Sequence, residues 1–282
     1  MMIQDIAPRK LDNQYDPAAV PEAEDQILVL CGSRVLVSTE PELSFPRVGQ
    51  LGLTEPERPI YLFSVDEERF FLYPCAAEEA ERLETDAFRL RDLKQIREES
   101  AEPKYRVFAA LTAKHLADWY RDTRFCGRCG QRMAHSAKER AMVCPSCGYT
   151  AYPRIMPAVI VGVTNGDRLL LTRYARGFRH NALIAGFTEI GETLEQTVAR
   201  EVMEEVGLRV KGIRYYRSQP WGIANDILMG FYCDVDGDDT ITVDHGELRT
   251  AVWTRREDIE LQPDRSSLTN EMMERFKDGL PC

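Results

Sequence analysis

The run from Gly186 to Leu208 constrains the fold more tightly than any other part of the chain. Thr193, followed three residues later by Gln196, makes a capping box, and Gly207 supplies a left-handed stop, so a helix is predicted over about Thr193 to Val206. Leu194, Val198, Val202 and Val206 recur every four residues and define its core face. Glu201, Glu204 and Glu205 then fall at i, i+3 and i+4 on another face, close enough to share a cation. Like charges at that spacing repel, and only Arg200 stands nearby to relieve them. Hard carboxylate oxygens favour Mg²⁺ or Mn²⁺ over softer metals. An acidic solvent-facing helix is the weaker reading, because Gly186, Glu192 and Gly207 stand around the same carboxylates.

Of eight cysteines, Cys31, Cys75, Cys233 and Cys282 are scattered, whereas Cys126, Cys129, Cys144 and Cys147 form two Cys-x-x-Cys pairs. Two such knuckles with a hairpin-length spacer suit tetrahedral zinc, and Gly130 and Gly148 fit the tight turn beyond each second cysteine. Four thiolates leave no open coordination position, so this zinc is expected to be structural. Zinc ribbons also occur in nucleic-acid-binding proteins, which keeps a binding module open as an alternative.

The length of 282 residues suits two or three units. Short β-like runs at Gln26 to Leu30, Arg34 to Ser38, Ile60 to Val65 and Arg69 to Tyr73 precede a charged, helix-favouring stretch from Ala76. Leu111, His115 and Trp119 lie four apart on an amphipathic helix within Val107 to Tyr120. Residues 1–121 thus read as an α+β domain, a scaffold or dimerisation unit with no recognisable chemistry of its own. Residues 122–152 are the ribbon and 153–282 a further domain. In that domain strands are expected at Ala158 to Val163, Arg168 to Arg173 and Leu183 to Ala185, with a turn at Asn165-Gly166-Asp167. A strand pair is expected within Arg214 to Asp236 and a last helix over about Ser267 to Phe276.

The longest apolar runs fall far short of the roughly 20 residues that span a bilayer. The first ten residues carry no apolar stretch, so no membrane association and a cytoplasmic location are expected. With 36 basic against 46 acidic residues, general duplex binding is disfavoured and only a local basic patch is left room. The four histidines are isolated, and no Ser-His-Asp or Cys-His set stands out; His245, beside an acidic loop, is the one to watch.

Gly186, Glu192, Arg200, Glu201, Val202, Glu204, Glu205, Gly207 and Leu208 fill every fixed position of the Nudix box, and the chain resembles the Nudix hydrolase superfamily. The resemblance implies an α/β/α sandwich with a mixed sheet, and metal-dependent attack of water on a diphosphate. By position it implies that Glu201 and Glu205 are metal ligands, Glu204 a ligand or general base, Ala185 a carbonyl ligand and Arg200 a residue that orients the glutamates.

The ribbon and Ser218-Gln219-Pro220-Trp221 further resemble the NAD(H) pyrophosphatase branch, most strongly from Phe125 to Trp253. That branch cleaves NADH or NAD⁺ to nicotinamide mononucleotide and AMP, its bacterial members remove NAD caps from RNA, and its members form homodimers. The resemblance implies Glu247 as a further metal ligand. It also implies Phe187 and a partner-supplied Tyr152 around a flat ring, with Gln219, Pro220 and Trp221 as substrate contacts. The chain departs from the branch at Gly222-Ile223-Ala224-Asn225-Asp226, which puts Asn225 and Asp226 in the substrate region, and at Leu268, where a smaller residue is usual. ADP-ribose or diadenosine polyphosphate hydrolysis, and nucleotide sensing without catalysis, stand as alternatives.

Overall fold

The computed structural model describes residues 2–52 and 59–282. By internal contacts one unit comprises Ile3–Arg154 with Gly222–Asn225, and the other comprises Met2, Ile155–Trp221 and Asp226–Cys282.

In the first unit β1 (Leu11–Asp12), β2 (Gln26–Cys31), β3 (Arg34–Val37), β4 (Ile60–Val65), β5 (Glu68–Tyr73) and β6 (Arg89–Asp92) form one sheet of order β1-β4-β5-β2-β3-β6. Its pleat sends alternate side chains to two cores. Leu28, Val35, Phe70 and Leu72 enter one; Ile27, Leu36, Phe71 and Tyr73 enter the other. The helices are α1 (Ala77–Arg82), α2 (Leu93–Glu98) and α3 (Lys104–Asp122). The helix-favouring stretch from Ala76 is therefore interrupted by a strand. The edge of β3 takes Arg89–Asp92 as an antiparallel partner, and Asp92 then caps α2 through Lys94 N–H at 2.9 Å. Here tertiary pairing overrides local propensity. On α3, Leu111 and Trp119 are buried as expected, but so are Tyr105, Val107, Phe108, Ala109 and Ala110.

A three-stranded ribbon follows, β7 (Ala134–His135), β8 (Met142–Val143) and β9 (Thr150–Ala151). Its inner side belongs to the first unit: Cys126, Met133, Met142 and Cys144 join the core of Trp119 and Tyr120. Tyr15 Oη donates to the Ser136 carbonyl at 2.8 Å, and Arg140 reaches the carbonyl of Leu62.

The second unit holds β10 (Met156–Asn165), β11 (Arg168–Tyr174), β12 (Ile184–Phe187), α4 (Leu194–Val206), β13 (Val210–Trp221), β14 (Asp226–Val235), β15 (Leu248–Arg255) and α5 (Leu268–Lys277). The sheet runs β13-β14-β10-β11-β15, with β12 added to β10. Only the β10–β14 pair is parallel, so the sheet is mixed. Gly166, at φ +63°, makes the turn between β10 and β11. Helix α4 covers one face, where Val198, Val202 and Val206 pack on Val159, Val161 and Phe231. Helix α5 covers the other, with Met272, Met273 and Phe276 on Ile160 and Tyr232. Each fully buried side chain of this size contributes roughly 1.5–3 kcal/mol. This is an α/β/α sandwich within a multidomain α+β chain.

Candidate active site

Helix α4 starts where the capping box places it. Thr193 Oγ1 accepts from Gln196 N–H at 3.3 Å, and Gln196 Oε1 accepts from Thr193 N–H at 2.8 Å. It ends at Gly207, whose φ is +70°. One face of this helix carries the valines; the adjacent face carries the carboxylates.

Arg200 organises that face. Its Nε donates to Glu192 Oε1 at 2.6 Å, Nη2 to Glu192 Oε2 at 3.0 Å and to the Phe187 carbonyl at 2.9 Å, and Nη1 to Glu201 at 2.8 Å and Glu204 at 2.9 Å. All five guanidinium donors are used. The Arg200 guanidinium holds the Glu192 carboxyl down at about 2, assisted by Glu189 N–H and Thr197 Oγ1.

The three box glutamates differ sharply in environment. Glu204 keeps 58% of its side chain exposed, whereas Glu201 and Glu205 are 9% and 3% exposed. Among the described residues, neither oxygen of Glu205 has a hydrogen-bond partner. Burial pushes its carboxyl up to about 8, and the charges of Glu201, Glu247 and Asp244 add to this. The Ala185 N–H acts weakly the other way without forming a well-aligned bond. Burial also raises Glu201, against the pull of Arg200. A buried carboxylate with two orphaned oxygens beside two others fits a hard divalent cation, since leaving it unpaired is costly.

Strand β12 brings the backbone up to this cluster. Ala185 pairs with Ile160 and Gly186 with Val159. A Cβ at Gly186 would overlap the carboxylate of Glu201, so only glycine permits this approach. Tyr174, at the end of β11, is a neighbour that sequence reading missed. Burial raises its hydroxyl to about 12, and Glu205, Glu247 and Glu201 push in the same direction. In the sequence it reads as an ordinary strand residue, with no motif to mark it.

The four ribbon cysteines meet the geometry of a second metal centre. Their sulfurs all lie within 4.8 Å of one another, with Cys126 to Cys147 at 3.6 Å and Cys129 to Cys144 at 3.5 Å. Tetrahedral zinc with bonds of about 2.3 Å requires sulfurs about 3.8 Å apart. Each knuckle is closed by a backbone bond, Gly130 N–H to Cys126 at 2.8 Å and Gly148 N–H to Cys144 at 3.0 Å, with both glycines at φ +73°.

The NUDIX domain family matches residues 154–276, and the NADH pyrophosphatase zinc ribbon domain matches residues 121–152. The chain carries a Nudix domain preceded by that family's zinc ribbon. Among curated Nudix relatives, the NAD-capped RNA hydrolase NudC of Klebsiella pneumoniae subsp. pneumoniae is 44% identical over 162 residues, and that of Escherichia coli O9:H4 is 42% identical over 162 residues. Each alignment covers 56% of this chain and 62% of the relative. A solved Nudix hydrolase from Nitrosomonas europaea superposes with a TM-score of 0.48 at 24% identity, over 56% of this chain and 95% of that one.

The remaining expected positions fall as follows. Phe187 is half exposed, and Glu247 is exposed on the loop before β15. Gln219 is fully buried: its Oε1 accepts from Leu268 N–H at 2.7 Å and its Nε2 donates to the Ser266 carbonyl at 2.9 Å. The Leu268 side chain is itself fully buried beneath α5. Pro220 is exposed and Trp221 half-buried at the end of β13. Asp226 is 5% exposed, and burial pushes its carboxyl up to about 6. Asn225, at φ 61°, donates to Asp118 within the first unit. Tyr152, also in the first unit, is 57% exposed and donates to Glu139 at 3.0 Å. His245 is exposed.

Two outcomes follow from this geometry. Purified protein should contain about one zinc per chain, and Cys144→Ser should lose zinc and unfold its unit before any selective catalytic defect appears; elemental analysis and circular dichroism check this. The second concerns Glu205, whose folded pKa is raised, so that its contribution to stability is complete below the ordinary carboxylate pKa and is lost as pH rises through about 8. The metal-free protein should therefore lose Tm between about pH 5 and pH 8 more steeply than Glu205→Gln does. Millimolar Mg²⁺ should restore Tm at the upper end by mass action.

Proposed function

We propose that this chain is a metal-dependent pyrophosphohydrolase acting on NADH and NAD⁺, giving nicotinamide mononucleotide and AMP, and on NAD-capped RNA. The observation that carries the reading is the Glu205 carboxylate, buried and unpartnered beside Glu201 and Glu247 on a complete Nudix box. The curated relatives' name supports the substrate assignment.

In this reading Glu201, Glu205 and Glu247, with the backbone of Ala185, hold Mg²⁺ or Mn²⁺. A bound ion of this kind neutralises diphosphate charge and lowers the pKa of a water. Glu204, exposed and held by a single hydrogen bond from Arg200, is free to move and takes the proton of the attacking water. Arg200 fixes the orientation of Glu201 and couples the helix to the Phe187 carbonyl. The exposed Phe187 ring stacks on a planar base at roughly 1–3 kcal/mol, by analogy with single-strand platforms. Gln219 and Leu268 act at one remove, fixing the N-terminus of α5 against β13. Asp226 acts through a donor on the ligand, because a buried carboxylate beside a phosphate is unfavourable without one. Tyr152 is supplied to the site by a partner subunit of a homodimer.

Glu204→Gln and Glu205→Gln should each lower kcat by at least about 100-fold with folding retained. Phe187→Ala should instead raise KM for NADH, because stacking is present in the ground state as well. Initial rates on a panel of NADH, NAD⁺, ADP-ribose and diadenosine polyphosphate, with Mg²⁺ and with Mn²⁺, check both. An unchanged KM in Phe187→Ala would point to another nucleotide. Mixing Tyr152→Ala with Glu204→Gln chains should regenerate one competent site per mixed dimer, and activity no higher than the sum of the separate variants would exclude a shared site.

A further inference from the structure

The ribbon stands apart electrostatically from the rest of the chain. The whole sequence has 36 basic against 46 acidic residues, yet between residues 122 and 152 five basic residues face two acidic ones. A zinc ion with four thiolates carries a net charge of about −2, which offsets part of this. The ligands Cys126 and Cys144 are buried, however, whereas Arg124, Arg128, Arg132 and Lys138 are all exposed. Among the described residues no carboxylate lies within ion-pair distance of Arg124 or Arg128.

The aromatic residues of the ribbon are exposed on the same small structure. Phe125 is 60% exposed and Tyr149 is 38% exposed. Phe125 lies directly across an antiparallel bridge from Arg132, which sets the two side chains on one face. The Arg128 guanidinium stacks over the Tyr149 ring at 5.4 Å and so links the two knuckles. The outer ribbon therefore presents two arginine–aromatic pairs. Its inner side is already occupied, since Met133, Met142, Cys126 and Cys144 are spent on the core of the first unit. Large exposed rings are not needed for folding a segment whose knuckles are closed by backbone bonds and zinc.

From this juxtaposition we infer that the outer ribbon, with Arg124, Phe125, Arg128 and Tyr149 at its centre, binds single-stranded RNA. Arginines meet the phosphates while the rings accept unstacked bases, a combination that tolerates any sequence. Duplex nucleic acid offers phosphates but no base faces, so it fits only half of the surface. A role for this surface in the proposed reaction rests on the reading of the chain as a hydrolase of NAD-capped RNA, whereas the binding itself is tested without NAD.

The test uses the full chain with zinc bound and a fluorescein-labelled single-stranded RNA of mixed sequence with a 5′-hydroxyl end, read by anisotropy at two salt concentrations. Binding should weaken as salt rises, with a log–log slope of about −0.7 for each phosphate contact. Arg124→Glu with Arg128→Glu should weaken binding at least tenfold and flatten that slope, and Phe125→Ala should weaken it several-fold with the slope unchanged. Arg124→Lys with Arg128→Lys should keep the slope, which separates charge from damage to the knuckles. All variants should keep their zinc and hydrolyse NADH within about twofold of the parent. RNA affinity that charge reversal leaves unchanged would overturn the inference. So would a fall in affinity accompanied by loss of self-association in sedimentation, which would make this face a contact between copies of the chain. A parent chain that binds RNA but does not hydrolyse NADH would sink the proposed reaction and leave the RNA surface standing.

Discussion

The site depends on one cation that belongs to the protein. Arg200 spends all five of its donors on Glu192, Glu201, Glu204 and the Phe187 carbonyl, and in doing so ties the loop before α4 to the helix itself. A lysine would supply charge but not this planar fork, and would leave some of these acceptors unmet. The arginine also sorts the carboxylates. Glu192 is held fully ionised, Glu201 and Glu204 are shared, and Glu205 receives nothing.

That uneven sorting gives the cluster its chemistry. A carboxylate buried without a partner is unstable by itself, and its neighbours make the position worse, so the energy that folding leaves unrecovered at Glu205 is recoverable by a divalent cation. Packing keeps the cluster in place: Val198, Val202 and Val206 anchor the adjacent stripe of α4 to the sheet. The bare backbone at Gly186 lets β12 approach the same carboxylates from the other side. Stability and reactivity are thus assigned to different faces of a single helix.

Much of this was readable from the chain because the signals are local. Thr193, Gln196 and Gly207 specify both ends of α4 within a dozen or so residues, and the knuckle spacing specifies the metal centre in the same way. What escaped reading depends on partners distant in sequence. Strand β6 exists because β3 offers an edge, Tyr174 matters because the sheet carries it to Glu205, and Gln219 is buried because Leu268 and Ser266 need its amide. None of these has a signature at its own position. The breadth of burial on α3 was likewise invisible, since a helix packed by both a sheet and a ribbon shows a wider apolar surface than one stripe.

Among the described residues the second unit's sheet has one parallel ladder, β10 with β14, and it has a consequence for the order in which that unit forms. Met156 meets Asp226 and Val163 meets Cys233, partners about seventy residues apart, while the β10–β11 hairpin and α4 close over short distances. Long loops cost entropy before any contact repays it, so this ladder forms late, together with the still longer-range β11–β15 pairing. Until it closes, α4 has only half of its sheet to pack against, and the carboxylates it carries stand in water, where like charges are well screened. Desolvation of Glu205 therefore arrives with these long-range pairings, and a nascent chain that has not yet delivered β14 and β15 has no reason to bind the cation that the finished domain calls for.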